Sequence, residues 1–300
     1  MLAEVKFATI AYVPPPRLPY SSAFYDNMQS HKTKHDLLLY SEHSWPGARR
    51  FEGSAEALQG VADASGAERV YNVSNLVFYS GMAMAERAGY THVLYVEADS
   101  RVARPDWDAR IFDDFLNQRM PPIIGGSVAV HNPSNFGGEG IRRWAELTRR
   151  NVRRNHPIPT YGNLGTKDKG NSCVFCYGSG TVIDMEWYRR LFTEEERTPD
   201  SAAAQASHQF GIERRTVDGV NGGADGFGMM KLARASRAWD IELGVRIWKQ
   251  FGPDAYDLIA HLGTVFSSFG NVLTCEHERL EMLRTGEAEL VHQVKSDARI

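Results

Sequence analysis

The run Val93-Leu94-Tyr95-Val96-Glu97-Ala98-Asp99 constrains this chain more than any other stretch. Four apolar residues give way to two carboxylates one residue apart. In extended backbone, positions i and i+2 point the same way, about 6–7 Å apart at ~3.3 Å per residue. Like charges that close at the end of a buried strand repel each other unless a cation sits between them. Open α/β sheets bind their ligands beyond the carboxyl ends of their strands. The stretch therefore nominates a divalent-metal site at a sheet rim, and such a metal points to a phosphate-bearing ligand.

The rest of the sequence allows a sheet-based domain of that kind. Its 300 residues suffice for one large α/β domain with a sizeable core. With 42% hydrophobic and 24% charged residues it has the balance of a soluble globular chain. A net charge of −3 lacks the basic footprint of a nucleic-acid-binding protein. Arg142, Arg143, Arg149, Arg150, Arg153 and Arg154 do cluster. They read as a solvated helix face or as a local patch for phosphate or an anionic acceptor. Cys173 and Cys176 have knuckle spacing, but no second pair follows, and they read as buried thiols of a reducing compartment. No basic segment followed by an apolar one opens the chain, and no apolar run reaches about 18 residues. The expectation is a cytoplasmic protein with no transmembrane segment.

Apolar periodicity predicts strands at 6–13, 36–40, 69–73, 93–96 and 123–130. Helices are predicted at 20–30, 54–64 and 106–117, with another from Ser74 or Asn75 to Ala88 that Gly89 is placed to end. This alternation favours a mostly parallel sheet with right-handed crossovers. The second half is less regular. A helix is predicted at 138–153, a loop at 156–170, and strand-like sequence at 173–184 broken by Gly178-Ser179-Gly180. A short helix at 186–192 and a polar excursion at 193–216 follow, then a helix at 226–235, mixed strand signals at 238–248, and a charged, helical tail from 275. One domain over 1–300 is the expectation.

Two further features could carry chemistry. In Gly222-Gly223-Ala224-Asp225-Gly226, just before an apolar helical stretch, Asp225 reads as a helix N-cap. His261 closes the apolar run Leu258-Ile259-Ala260-His261 and reads as an ordinary core or surface imidazole. Taken with the strand, the acidic pair and the helix begun near Pro105, these stretches resemble the GT-A glycosyltransferases in order and spacing. The resemblance is family-2-like and spans roughly residues 5–265.

It implies a GT-A fold, a Rossmann-like and mostly parallel sheet flanked by helices with a small antiparallel acceptor-side portion. Residues 1–130 would form the nucleotide-binding half, 131–270 the acceptor half and 271–300 a C-terminal tail. Glu97 and Asp99 would be the metal motif, with Glu in place of the usual first Asp. His261, 36 positions beyond Asp225, would be a further metal ligand. Asp225 would be the base of an inverting transfer, although Ala224 replaces the acid that usually precedes it. Ala11, Tyr12, Val13, Asn72, Asn75, Ala98, Gly178 and Ser179 would approach the donor. The implied cofactor is Mn²⁺ or Mg²⁺. The implied substrates are a UDP- or GDP-linked sugar and a hydroxyl acceptor. A nucleotidyltransferase is the rival enzyme, and a non-catalytic nucleotide-sugar-binding module is the rival outside enzymes. Pro14-Pro15-Pro16-Arg17 after the first strand, where a nucleotidyltransferase carries a Gly-rich basic loop, counts against the former.

Overall fold

The computed structural model describes residues 4–14, 16, 18–41, 43–50, 66–131, 160–161, 173–176, 178–198, 212–214, 230–232, 239–267 and 276–294. In chain order the elements begin β1 (Phe7–Tyr12), α1 (Pro19–Ser30), β2 (Asp36–Tyr40), α2 (Gly66–Arg87), β3 (His92–Val96), β4 (Arg101–Val102) and α3 (Trp107–Leu116). They continue with β5 (Ile124–Gly126), β6 (Val128–His131), β7 (Thr160–Tyr161), β8 (Cys173–Cys176), β9 (Thr181–Asp184) and α4 (Met185–Leu191). The last are β10 (Ile212–Arg214), β11 (Met230–Leu232), α5 (Trp239–Phe251), α6 (Ala255–Leu258), β12 (Ile259–His261), β13 (Val265–Phe266), α7 (Glu276–Thr285) and β14 (Leu290–Val291).

Six strands form the central sheet in the order β12-β5-β9-β3-β1-β2. β9 runs antiparallel to both of its neighbours, and the others run parallel. Smaller sheets β10-β11, β13-β14-β4 and β7-β6-β8 stand beside it. The expected fold class, a mostly parallel sheet between helices with a smaller antiparallel part, is the one observed.

Two-residue periodicity sorts the strand side chains onto two faces. Ala8, Ile10, Leu38, Tyr40, Val93 and Tyr95 pack with residues of α2, α4 and α5. Ala11, Leu39, Leu94, Val96 and Val182 pack with Phe24 and Met28 of α1 and with Trp107, Ile111, Phe112 and Phe115 of α3. A sheet covered on both faces explains why Val93–Val96 is apolar without alternation. The helix ends follow local chemistry. Pro19 starts α1, Gly89 ends α2 at φ +75°, and the Asp184 carboxylate caps α4 by accepting from the Glu186 and Trp187 N–H groups.

Four local expectations are corrected. Residues 69–73 are not a strand but part of the 22-residue helix α2, whose packing on β1 and β3 overrides the β-branched bias of that stretch. The 123–130 stretch divides at Ser127 into β5 and β6, which belong to different sheets. Within 238–248, residues 239–248 belong to helix α5, in which Trp239, Leu243 and Ile247 recur every fourth residue on the buried face. Within 226–235, residues 230–232 are strand β11, held by antiparallel pairing with β10. The tail does form a helix, α7, but strand β14 follows it. The predicted helices at 54–64 and 138–153 lie outside the described residues, as does most of the 156–170 loop.

Asn75 joins two of these helices. It is fully buried, and its carboxamide oxygen accepts the Trp239 N–H at 2.9 Å. That N–H belongs to the first turn of α5, where no intrahelical partner exists. Asn75→Ala is therefore expected to cost about 1–3 kcal/mol in urea unfolding, the penalty of an unpaired buried donor. Asn75→Asp, which keeps the acceptor, should recover part of it.

Candidate metal centre

The acidic pair sits at the carboxyl end of β3, but not in the extended geometry its spacing suggested. After Val96 the chain turns at once, with the Ser100 N–H donating to the Glu97 carbonyl at 3.1 Å. A second turn grips the first. The Ser179 hydroxyl accepts the Glu97 N–H at 2.9 Å and the Ser100 hydroxyl at 2.6 Å, and the Gly180 N–H reaches the Tyr95 carbonyl at 2.8 Å. The two carboxylates thus converge because a turn folds them together, not because they share a strand face.

An imidazole completes the cluster, and it belongs to His292. Its Nε2 lies 3.0 Å from Glu97 Oε2 and 2.8 Å from Asp99 Oδ1. One ligand atom from each of Glu97, Asp99 and His292 falls within 4.8 Å of the other two. The small sheet delivers this histidine. β14 pairs antiparallel with β4, just past the acidic turn, and parallel with β13. The His292 N–H donates to the Phe266 carbonyl at 2.9 Å, and the Val294 N–H to the Asp99 carbonyl at 2.7 Å. The Arg279 side chain donates to the carbonyl of Gln293, which has φ +67°.

Charge is concentrated here. Burial alone would lower the pKa of His292, but the Asp99 and Glu97 carboxylates outweigh it and push the imidazole up to about 10. Burial first, then Glu97, holds the Tyr95 phenol well above its usual range. Burial and Asp99 also raise Tyr20. Arg101 is fully buried and lowered by desolvation, opposed by the fields of Asp99 and Glu276. Ser74, on α2, donates to Glu97 Oε1 at 3.3 Å.

Gly178 makes the close approach possible. Its φ is +56°, and a Cβ built there would lie 3.0 Å from Glu97 Oε2 and 3.0 Å from His292 Cε1. Gly178→Ala should cost about 1–2 kcal/mol of backbone strain and shift the carboxylate it meets. The expected readouts are a lower Tm and weaker Mn²⁺ binding by calorimetric titration. An alanine variant that matches the wild type in both would show the space to be unnecessary.

The remaining candidates fall in different places. His261 ends edge strand β12, opposite Gly126, and its Nδ1 accepts the Val128 N–H at 3.4 Å. Three strand spacings separate β12 from β3, about 14 Å at ~4.8 Å each. It is therefore not the imidazole of the acidic cluster. Ala11 pairs with Val96, so Tyr12 and Val13 reach the same sheet rim as Glu97. Ala11 and Val13 are buried and Tyr12 partly exposed. Ala98 lies in the acidic turn, Asn72 in α2, and Gly178 and Ser179 in the gripping turn. Asp225 lies outside the described residues. The buried thiol expected at Cys176 is present, and burial raises its pKa further.

A third acid approaches the centre from α5. Asp240, in that helix's first turn, is buried and accepts the Gly178 N–H at 3.3 Å. It therefore stands one glycine away from Glu97 and His292. The sequence offered a signal for it, a helical apolar repeat beginning at Trp239 with an acid next in line. His292 had a weaker signal, the short apolar pair Leu290-Val291 inside a tail read as helical.

No family model matches the chain, and no curated protein is similar to it in sequence. Solved structures that resemble it include glucosyl-3-phosphoglycerate synthase from Mycobacterium tuberculosis in complex with Mn²⁺, UDP and phosphoglyceric acid. That pair shares 12% identity over 87% of this chain and 69% of the other, with a TM-score of 0.36. Mouse xyloside xylosyltransferase 1 gives 12% identity over 96% and 98%, with a TM-score of 0.39. The galactosyltransferase LgtC, in complex with donor and acceptor sugar analogs, gives 9% identity over 95% and 86%, with a TM-score of 0.38. At these scores and identities the likeness does not place the chain in a family. The functional reading rests on its own side chains.

Proposed function

We propose that the protein is a GT-A-type glycosyltransferase that moves a sugar from a nucleotide-diphosphate donor to an acceptor hydroxyl. The observation that carries this reading is the convergence of Glu97, Asp99 and His292 at the carboxyl rim of the sheet. Two carboxylate oxygens and one imidazole nitrogen form a donor set that suits Mn²⁺ and also accepts Mg²⁺. A bound cation would offset the negative charge that gathers on a departing nucleoside diphosphate.

The protein's own groups supply the rest. Ser74 orients Glu97, and the Ser179 hydroxyl holds the acidic turn against the Gly178 turn. Tyr12, partly exposed at the rim beside Glu97, would meet the donor's nucleoside, with Ala11 and Val13 buried on either side of it in the chain. The acceptor hydroxyl attacks the anomeric carbon as the bond to the diphosphate breaks, and a carboxylate takes its proton. Asp225 and Asp240 are the two candidates for that carboxylate. Attack opposite the leaving group inverts the anomeric centre. Among the described residues no helix is long and apolar enough to cross a membrane.

A thermal-shift screen of nucleoside diphosphates and UDP- and GDP-sugars, with and without Mn²⁺, tests the reading. A ligand at 100 times its Kd should add about 2.7 kcal/mol of stability. The expected result is stabilisation by one nucleoside diphosphate that largely disappears when Mn²⁺ is chelated. No response to any of them would remove the proposal. Binding without transfer to any acceptor would favour the binding-module reading.

A further inference from the structure

We infer that Ser267 is a positioning residue for His292: its hydroxyl holds Nδ1 so that Nε2 is presented to Glu97 and Asp99. The inference rests on the metal-centre reading above. Ser267 follows β13 and His292 follows β14, and the two strands run parallel with Phe266 opposite Val291. The next residues on each side therefore meet at the same end of the small sheet. The Ser267 hydroxyl and His292 Nδ1 are 3.0 Å apart. Both residues are buried, at 4% and 3% exposure.

A nitrogen that ligates a cation must offer its lone pair. For Nε2 to do so, the ring of neutral His292 carries its proton on Nδ1. That N–H is buried and needs an acceptor, and the Ser267 oxygen is at hydrogen-bonding distance. The contact settles two things together. It supplies the buried acceptor that the Nδ1–H needs when Nε2 ligates, and it opposes the ring flip that would exchange the two nitrogens. Gly178 leaves room beside Cε1, the carbon between the two nitrogens, where a Cβ would lie 3.0 Å away. Partners of this kind behind a metal-binding histidine raise affinity by orienting the ring.

The test uses the full chain. Mn²⁺ is titrated into wild type, Ser267→Ala and Ser267→Cys, with free Mn²⁺ read by electron paramagnetic resonance. The ring ¹⁵N shifts of His292 are recorded with saturating Mg²⁺. Ser267→Ala should weaken Mn²⁺ binding about 10- to 100-fold, and its Nδ1 shift should depart from that of the wild type because the hydrogen bond to Ser267 is lost. Ser267→Cys keeps the size with a weaker acceptor and should fall between the two. It gives the decisive reading if the alanine variant does not fold. Wild-type affinity together with a wild-type Nδ1 shift in the variant overturns the role of Ser267 and leaves the metal centre standing. A wild-type protein that takes up no Mn²⁺ overturns the centre and this inference with it.

Discussion

Asp99→Asn and His292→Ala should each abolish tight divalent-cation binding and lower sugar transfer by about 100- to 1,000-fold, the usual loss when a group stabilising developing charge is removed. Asparagine keeps the size of Asp99 but surrenders its charge, so the fold should survive while one anionic ligand is lost. His292→Ala removes the only nitrogen of the cluster and leaves Glu97 and Asp99 facing each other across the gap. The control is His261→Ala. Its ring is held by the Val128 N–H at the edge of the sheet, away from the acids. That variant should bind Mn²⁺ within about twofold of wild type, a change of under 1 kcal/mol. Titration of all three variants decides between the two imidazoles. Loss of Mn²⁺ binding in His261→Ala but not in His292→Ala would show that the described cluster is not the cation site.

The sequence was most legible where a local rule and the tertiary structure agree. Strands β1, β2 and β3 announce themselves as short apolar runs, and a sheet covered on both faces demands such runs. Gly89 marks a helix end because few other residues fit its positive φ. The acidic pair was legible as chemistry but not as geometry. Its spacing suggested a shared strand face, whereas the convergence comes from a turn clamped by Ser179. The third member of the cluster was not legible, because nothing local separates His261 from His292. Each follows a short apolar run, and what distinguishes them is which sheet the run joins. β12 joins the far edge of the large sheet, while β14 pairs with β4, next to Asp99. Pairing partners so distant in sequence leave no trace in a local pattern. The same holds for the start of α2, where the β-branched Val70 and Val73 suggest a strand and the chain is helical.

The largest effect on turnover alone is expected at the proton-accepting carboxylate. Loss of a general base typically costs about 10²- to 10⁴-fold, and it should leave donor affinity nearly untouched because the base acts on the acceptor. Asp225 was singled out because an acid opens an apolar helical stretch. Asp240 meets the same description at the start of α5, with a position to support it. Its carboxylate accepts the N–H of the glycine that abuts both Glu97 and His292. If Asp240 is the base, Asp240→Asn loses turnover by at least about 100-fold with donor Kd unchanged. Asp240 also anchors the Gly178 turn, so the comparison needs Mn²⁺ affinity measured in parallel. A base variant should keep that affinity, and a variant that merely loosens the turn should lose it. If Asp225→Asn alone stops transfer while Mn²⁺ and donor still bind, the proton goes to Asp225 and Asp240 is left as the support of its glycine.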